Sequence, residues 1–449
     1  MEKKISVLIK KKIKKFNKTI ISIPGDKSLS FRALIISSQL IGISKFNGIL
    51  EGDDIRSCIQ CLKDLGVKII RKKAGSFIVF GNGENSFKQP SKKKLYFGNA
   101  GTLGILLGFL ATDSNIKVKI YGDKSLNSRS MQKFIDPLSR IGCIFSPNNR
   151  KKFPLKVYGT NYGLAQHHIL KSGSAQSKAS ILNAALNLPG ITTIEERKLS
   201  RNHSETILKK IGADIKIRKK NNYNFISLRG QQNLKSFSMN IPGDPSSAAF
   251  FIALCLMTKG SKLKIKKINL NYFRIGFVRC LKSMNAKIQF KNVKNNFGEP
   301  VGDIIVKNSN LKPINLPKHE VISTLDELPI LMTISSQIKG VSTFNNIGVL
   351  RGKESDRIKK IAENLKIFGI KTKVSKNSIK IYGNPKPYKK NKKININATL
   401  DHRIQMSQCI LGLVTGANVL VRGCETIKTS FPNFFILLKQ MGAKYEIKK

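Results

Sequence analysis

Tryptophan is absent from this 449-residue chain, and tyrosine and histidine occur only 9 and 5 times. A nucleic-acid reader that works by stacking needs aromatic side chains among its basic ones, and 7% aromatics without a stacking motif supplies little of that. Acidic residues are scarce too: 26 Asp and Glu stand against 81 Lys and Arg, a formal charge of +55. Arginine, which grips phosphates and bases bidentately, makes up only 16 of those 81. The other 65 are lysines strewn along the whole chain, in runs such as 10–12 and 92–94. That spread reads as lysine loaded onto solvated positions rather than as one basic surface. No apolar run approaches the roughly eighteen residues of a membrane span. The start, MEKKISVLIKKKIKKF, lacks the apolar stretch and cleavage site of a secretory signal. Its alternation of Ile5, Val7 and Ile9 predicts a strand. Seven cysteines, an odd number, suggest no disulfide framework and fit a reducing compartment, so cytoplasm is the expectation. Cys58 and Cys61 form the one CxxC; without a second pair or a nearby His they read as small apolar helix residues, not as a zinc or redox site.

What is present is a chain that can bury substantial cores, 41% hydrophobic and too long for one of them. It also repeats itself. A helix end followed by a strand recurs as LGVKI (65–69), IGCIF (141–145), IGADI (211–215), MNAKI (284–288), FGIKT (368–372) and MGAKY (441–445), at spacings of 76, 70, 73, 84 and 73 residues. Five copies carry Gly at the second position, where a left-handed helix cap needs it, and Asn285 fills the sixth. A small or polar turn followed by an apolar helix starts each unit: GDKSLSFRALIIS (25–37), GNAGTLGILLGFLA (98–111), SGSAQSKASILNAAL (172–186), GDPSSAAFFIALCL (243–256), LDELPILMTISS (325–336) and LDHRIQMSQCILGL (400–413). Six units of alternating helix and strand follow, an α/β pattern. IPGDKS at 23 returns as IPGDPS at 241, which splits the chain into two halves of three units. The expected lobes are 1–22 with 243–449, and 23–242. Six helix N-termini with unpaired N–H groups would make an anion site where the lobes face each other.

The turns carry the chemistry. Lys27, Ser28 and Arg32 lie in the first turn and a half of the first helix, and Gly101 and Thr102 open the second. Arg129 follows in GDKSLNSRSM; Ser174, Ala175 and Gln176 open the third helix with Lys178 one turn on, and Arg201 ends that unit's β segment. Asp326 and Glu327 open the fifth helix, Lys353, Glu354 and Arg357 come from RGKESDR, and Asp401, His402 and Arg403 open the sixth. A cationic helix start is disfavoured by the dipole, so several of them together point to a bound anion.

With IPGDKSLSFRA, GNAGT, GDKSLNSRSM, SAQSK, IPGDPSSAAF, LDELPIL, RGKESDR, LDHRIQMS and TSFPNF, the sequence resembles the enolpyruvyl transferases over essentially its whole length, in the branch acting on shikimate 3-phosphate. The resemblance implies a two-lobe fold of six β-α-β-α-β-β repeats, three per lobe, with the active site in the cleft between. It implies transfer of the enolpyruvyl group of phosphoenolpyruvate to the 5-hydroxyl of shikimate 3-phosphate, with release of phosphate. Lys27, Asp326 and Glu354 would be catalytic: Asp326 beside the 5-hydroxyl, Glu354 at the methylene, and Lys27 touching both substrates and shuttling a proton once its neighbours lower its pKa. Lys27, Ser28, Arg32, Ser174, Ala175, Gln176, Arg201, Asp326 and Lys353 would hold shikimate 3-phosphate. Lys27, Gly101, Arg129, Gln176, Arg357, His402 and Arg403 would hold phosphoenolpyruvate. No metal or organic cofactor, nucleic acid or membrane is implied, and family habit implies a monomer. Glycine at 101 marks herbicide-sensitive members, so glyphosate is expected to compete with phosphoenolpyruvate. Two departures stand out. Ile105 occupies a position where members usually carry Arg, which predicts a lost anion contact or salt bridge, and where some members have Lys immediately before a TFP-type motif this chain has Lys428 followed by Thr429 and Ser430 ahead of Phe431, which leaves the role of Lys428 open. The rival within the family, the transferase acting on UDP-N-acetylglucosamine, expects a Lys-Asn pair where this chain has Lys27-Ser28, and a reactive loop cysteine. A basic nucleic-acid-binding protein is the rival from outside it.

Overall fold

The structure is a computed structural model that describes residues 4–221, 223–385, 393–397 and 400–448. The chain forms two compact units. A terminal unit comprises Met1–Pro24, Pro242–Lys294 and Pro300–Lys449, and a central unit comprises Gly25–Ile241 and Asn295–Glu299. The borders fall inside the two IPGD motifs. Repeat spacing gives no sign of the short 295–299 segment, which joins the central unit through buried contacts: Glu299 meets His203 Nδ1 at 2.8 Å, and Phe297 stacks on Phe237 at 5.0 Å.

Each unit is built around helices that are buried on every side and so lack a solvent face. In the central unit these are Lys27–Ser37 and Ala175–Asn187, with Gly101–Ala111 between them in sequence; in the terminal unit they are Pro245–Met257, Leu328–Ser336 and His402–Thr415. Amphipathic helices such as Asp53–Asp64, His203–Lys210 and Arg357–Ile367 cover the outside. All six expected cap residues have left-handed backbone, with φ of 87° at Gly66, 111° at Gly142, 90° at Gly212, 71° at Asn285, 73° at Gly369 and 90° at Gly442. Each follows its helix by two residues and leads into a strand, so the recurring sequence is a cap that turns the chain back onto a sheet.

The second unit departs from expectation. Its apolar helix begins as a 3-10 helix, Gly101–Leu106, and becomes α-helical only over Leu107–Ala111. Its glycines let neighbours pack against the backbone: a Cβ on Gly104 would lie 2.4 Å from Phe134, and one on Gly108 2.0 Å from the Ser180 carbonyl. Close packing is bought here with helix propensity.

Among the described residues the strands form six sheets, five of four strands and one of three. In each four-stranded sheet one edge strand pairs in parallel and its neighbour pairs antiparallel with the next. In three sheets the parallel edge strand leads straight into the buried helix, giving a β-α-β crossover. The other two have exchanged theirs. Asn17–Ile20 leads into IPGDKS but pairs with Lys262–Asn269, whereas Ser238–Asn240 leads into IPGDPS but pairs with Ile41–Asn47. The strand expected at the N-terminus, Ser6–Ile9, lies between Val419–Arg422 and Tyr445–Lys448, antiparallel to both. Among the described residues no helix is long and apolar enough to cross a membrane.

The cap geometry is testable in isolation at Gly369, where an added Cβ meets nothing within 4 Å and only backbone strain remains. Gly369→Ala should lower stability by about 1–2 kcal/mol, seen as a lower urea midpoint. Asn285→Gly should raise the midpoint slightly by relieving the same strain.

Candidate active site

The residues singled out in the sequence gather into two clusters, one in each unit. In the central unit the helix Lys27–Ser37 starts at Asp26, whose carboxylate accepts the Ser28 and Leu29 N–H groups at 2.8 and 3.1 Å. The Lys27 ammonium pairs with Asp54 Oδ2 at 3.1 Å. Arg32 is 1% exposed. Its Nε donates to Ser204 Oγ at 2.8 Å, Nη1 to the Ser28 hydroxyl and carbonyl at 2.7 and 3.0 Å, and Nη2 to the Ala175 carbonyl at 3.1 Å. Burial, reinforced by the neighbouring Arg201 charge, pulls the Arg32 guanidinium down to about 10, against the opposing pull of Glu205. Two cations this close, one of them desolvated, form a site that an anion would relieve.

Gln176 connects the third helix to the second, donating from Nε2 to Thr102 Oγ1 at 2.9 Å and accepting from Lys133 Nζ at 2.5 Å. Ser174 caps its own helix through the Ser177 N–H. Arg129 is drawn towards the GNAGT turn by Asn99, which bonds its Nη2, and by Ser125 Oγ at 2.9 Å. Asn99 in turn donates to Asp123 at 2.6 Å. Gly101 lies directly under this guanidinium: a Cβ there would be 3.4 Å from Arg129 Nη1.

In the terminal unit Arg357, 1% exposed, is the hub. Its Nε meets Asp401 Oδ2 at 2.9 Å and its Nη2 meets Glu354 Oε2 at 2.6 Å. Burial alone would lower its pKa, but Asp401 and Glu354 outweigh that and hold it above the ordinary arginine value. Asp401 also caps the helix His402–Thr415, accepting the Arg403 N–H at 3.1 Å. Arg403 Nη1 donates to the Asp326 carbonyl at 3.0 Å, and its Nη2 is 3.8 Å from the Asp326 carboxylate. His402 Nδ1 lies 3.5 Å from Thr429 Oγ1. Lys353 is half-buried in the turn between Glu354 and the 3-10 helix Gly348–Gly352. Lys428 is exposed, on the 3-10 helix Cys424–Thr429.

One expectation is corrected. The helix starts are not open N–H cradles: Asp26, Ser174, Asp244 and Asp401 cap four of the six buried helices with their own side chains. The cap carboxylates also offset the dipole, which is why cationic starts are tolerated. Ile105 is fully buried in the apolar core and its carbonyl accepts from Asn183 Nδ2 at 2.9 Å, so this position serves packing here. The cysteines are buried, and burial pushes the Cys58 and Cys61 thiols up, which leaves them unreactive.

Sequence reasoning missed the partners. Asp54, Asn99 and the carboxylates around Lys178 are set by tertiary packing. So is the buried set in which Arg274 bonds the capping Asp244 at 2.6 Å and Ser246 at 3.1 Å, with Ser246 donating to Glu327. The only local signal was acidic residues in first turns, such as Asp53 and Asp54.

The chain is similar to known proteins over nearly its whole length. The sequence pattern of the family described as EPSP synthase (3-phosphoshikimate 1-carboxyvinyltransferase) matches residues 10–438. A 3-phosphoshikimate 1-carboxyvinyltransferase of Zymomonas mobilis is 38% identical over 429 residues, 95% of this chain and 94% of the relative. One of Bartonella quintana is 36% identical over 425 residues, 94% of this chain and 96% of the relative. A solved EPSP synthase from Acinetobacter baumannii superposes with a TM-score of 0.85 at 32% identity, covering 100% of both chains. The enolpyruvyl transferase NikO from Streptomyces tendae shares the fold, with a TM-score of 0.76 at 13% identity over 99% of each chain.

The Arg357 hub makes a clear energetic demand. Arg357→Met strands Asp401 and Glu354 and should cost about 3–5 kcal/mol in chemical denaturation. Arg229→Met removes a pair with Asp214 whose side chains are 58% and 40% exposed, and should cost about 1 kcal/mol or less.

Proposed function

Because this chain belongs to the EPSP synthase (3-phosphoshikimate 1-carboxyvinyltransferase) family, we propose that it transfers the enolpyruvyl group of phosphoenolpyruvate to the 5-hydroxyl of shikimate 3-phosphate, a step of aromatic amino acid biosynthesis. The observation that carries this reading is the placement of cations. Lys27, Arg32 and Arg403 stand near the starts of buried helices, Arg129 follows the short helix Lys124–Ser128 and Arg357 begins the outer helix Arg357–Ile367, each already oriented by an acid, a carbonyl or a hydroxyl. Both substrates are multiply anionic, and preoriented cations in a desolvated setting bind such groups without reorganising.

In the proposed division of roles, Ser28, Arg32, Ser174, Ala175, Gln176, Arg201 and Lys353 hold shikimate 3-phosphate. Gly101, Arg129, Gln176, Arg357, His402 and Arg403 hold phosphoenolpyruvate, and Lys27 touches both. The 5-hydroxyl adds to C2 of phosphoenolpyruvate as C3 takes up a proton; phosphate then leaves as C3 gives a proton back. Asp326 accepts the hydroxyl proton and Glu354 serves C3. Arg357 fits this assignment, since its bond to Glu354 fixes where that carboxyl points. Lys27, tied to Asp54, has its ammonium aimed by that pair. We further propose that the chain acts as a cytoplasmic monomer that needs no metal or organic cofactor.

Phosphate release with both substrates tests the reading. The wild type should release phosphate with shikimate 3-phosphate and not with UDP-N-acetylglucosamine; the opposite preference would overturn the assignment. Lys27→Ala and Glu354→Ala should each lower kcat by about 10²–10⁴, and full activity in either removes its role. Glyphosate should inhibit competitively with phosphoenolpyruvate. Gly101→Ala, which crowds the space beside Arg129, should weaken that inhibition, and unchanged inhibition would sink the steric argument.

A further inference from the structure

Lys178 carries a charge in the deepest part of the central unit. It stands on the helix Ala175–Asn187 two residues beyond Gln176, and its side chain is 1% exposed. Its ammonium lies 2.8 Å from Glu196 Oε1 and 2.7 Å from Glu205 Oε1, carboxylates that are themselves 1% and 2% exposed. Glu196 ends the strand Ile191–Glu196 and is fixed by the Ser200 N–H at 3.1 Å and hydroxyl at 2.5 Å. Glu205 lies in the first turn of His203–Lys210, beside the Ser204 that accepts from Arg32 Nε at 2.8 Å. Of the carboxylates that support the Arg32 charge, Glu205 contributes most, ahead of Asp26 and Glu299. Lys178 thus sits between two buried carboxylates, one of which, Glu205, adjoins the Ser204 bonded by Arg32, and the four charges, drawn from four separate elements, sum to zero.

Such a set of charges is a poor device for stability. Buried ion pairs usually gain little over apolar side chains of the same size, because desolvation offsets their attraction. For Lys178, burial favours the neutral amine, but Glu205 and Glu196 prevail and keep it protonated. What the arrangement does achieve is direction: it fixes Glu205, and through Glu205 the electrostatic setting of a guanidinium that also feels Arg201.

We propose that Lys178, with Glu196, is a positioning element for shikimate 3-phosphate, setting Glu205 so that Arg32 keeps the orientation and charge with which it meets this substrate. The inference rests on the reading of Arg32 as a shikimate 3-phosphate ligand. Lys178 does not itself touch substrate. Without it, Glu205 loses its nearest cation and draws the Arg32 guanidinium towards itself and away from the anion it should hold.

The test is steady-state kinetics of the full-length enzyme, with KM measured for each substrate separately. Lys178→Met should raise KM for shikimate 3-phosphate at least tenfold and leave KM for phosphoenolpyruvate within about twofold. The double variant Lys178→Met/Glu196→Gln restores the neutral sum and should recover most of the loss, an outcome that a merely structural lysine would not give. Glu205→Gln, which leaves Lys178 its partner Glu196, should reproduce the selective rise and serves if Lys178→Met does not fold. Equal rises for both substrates, no rise, or a double variant worse than the single overturn the proposal. A wild type that does not use shikimate 3-phosphate overturns instead the functional reading on which it stands.

Discussion

A guanidinium taken out of water has to be met by acids and carbonyls, and much of this structure follows from how three arginines are met. Arg357 is bonded by Asp401, Arg274 by Asp244, and Arg32 lies in the field of Asp26. Each of these aspartates is also the N-cap of a buried helix. One carboxylate thus satisfies backbone N–H groups, offsets a helix dipole and neutralises a buried cation. The coupling ties helix start and arginine into one geometry, so the position of a charged group is set by the packing of the core. It also explains how a chain so poor in acids builds polar interiors: its few acids are concentrated where each makes several contacts.

Much of this was legible in the sequence because it is local. A left-handed residue after a helix needs Gly or Asn, and all six such positions were readable in the text of the chain. Apolar stretches without a polar face read as buried helices, and the Ser6–Ile9 strand showed in its alternation. Partners were not legible. That Asp54 meets Lys27, or that Glu196 and Glu205 meet Lys178, depends on which elements pack together. The helix starts were misjudged for a related reason. Counting N–H groups treats a terminus as vacant, whereas Asp26 and Asp401 had already filled it. The 3-10 start at Gly101 was missed because apolarity was weighed and three glycines were not.

The large positive charge resolves into two populations. One is a small set of anchored arginines, of which Arg32 and Arg357 are wholly desolvated. The other is lysine, much of it at exposed positions such as those of the strands Ile215–Lys220 and Lys68–Lys73. Lys178 is placed as the arginines are placed, inside the core and between acids.

The N-terminal strand has a consequence for the life of the nascent chain. Val7 pairs with Val421 and with Ile447, so the sheet that Ser6–Ile9 completes cannot close until Tyr445–Lys448 has been made. The central unit lies almost entirely within one continuous stretch and can collapse while synthesis continues. The terminal unit must keep its first strand unpaired throughout, an exposed edge of apolar residues awaiting partners more than 400 positions away. Lysines flank that edge at Lys4 and Lys10–Lys12. In a segment that waits so long, they are placed to keep it from pairing with the wrong neighbour.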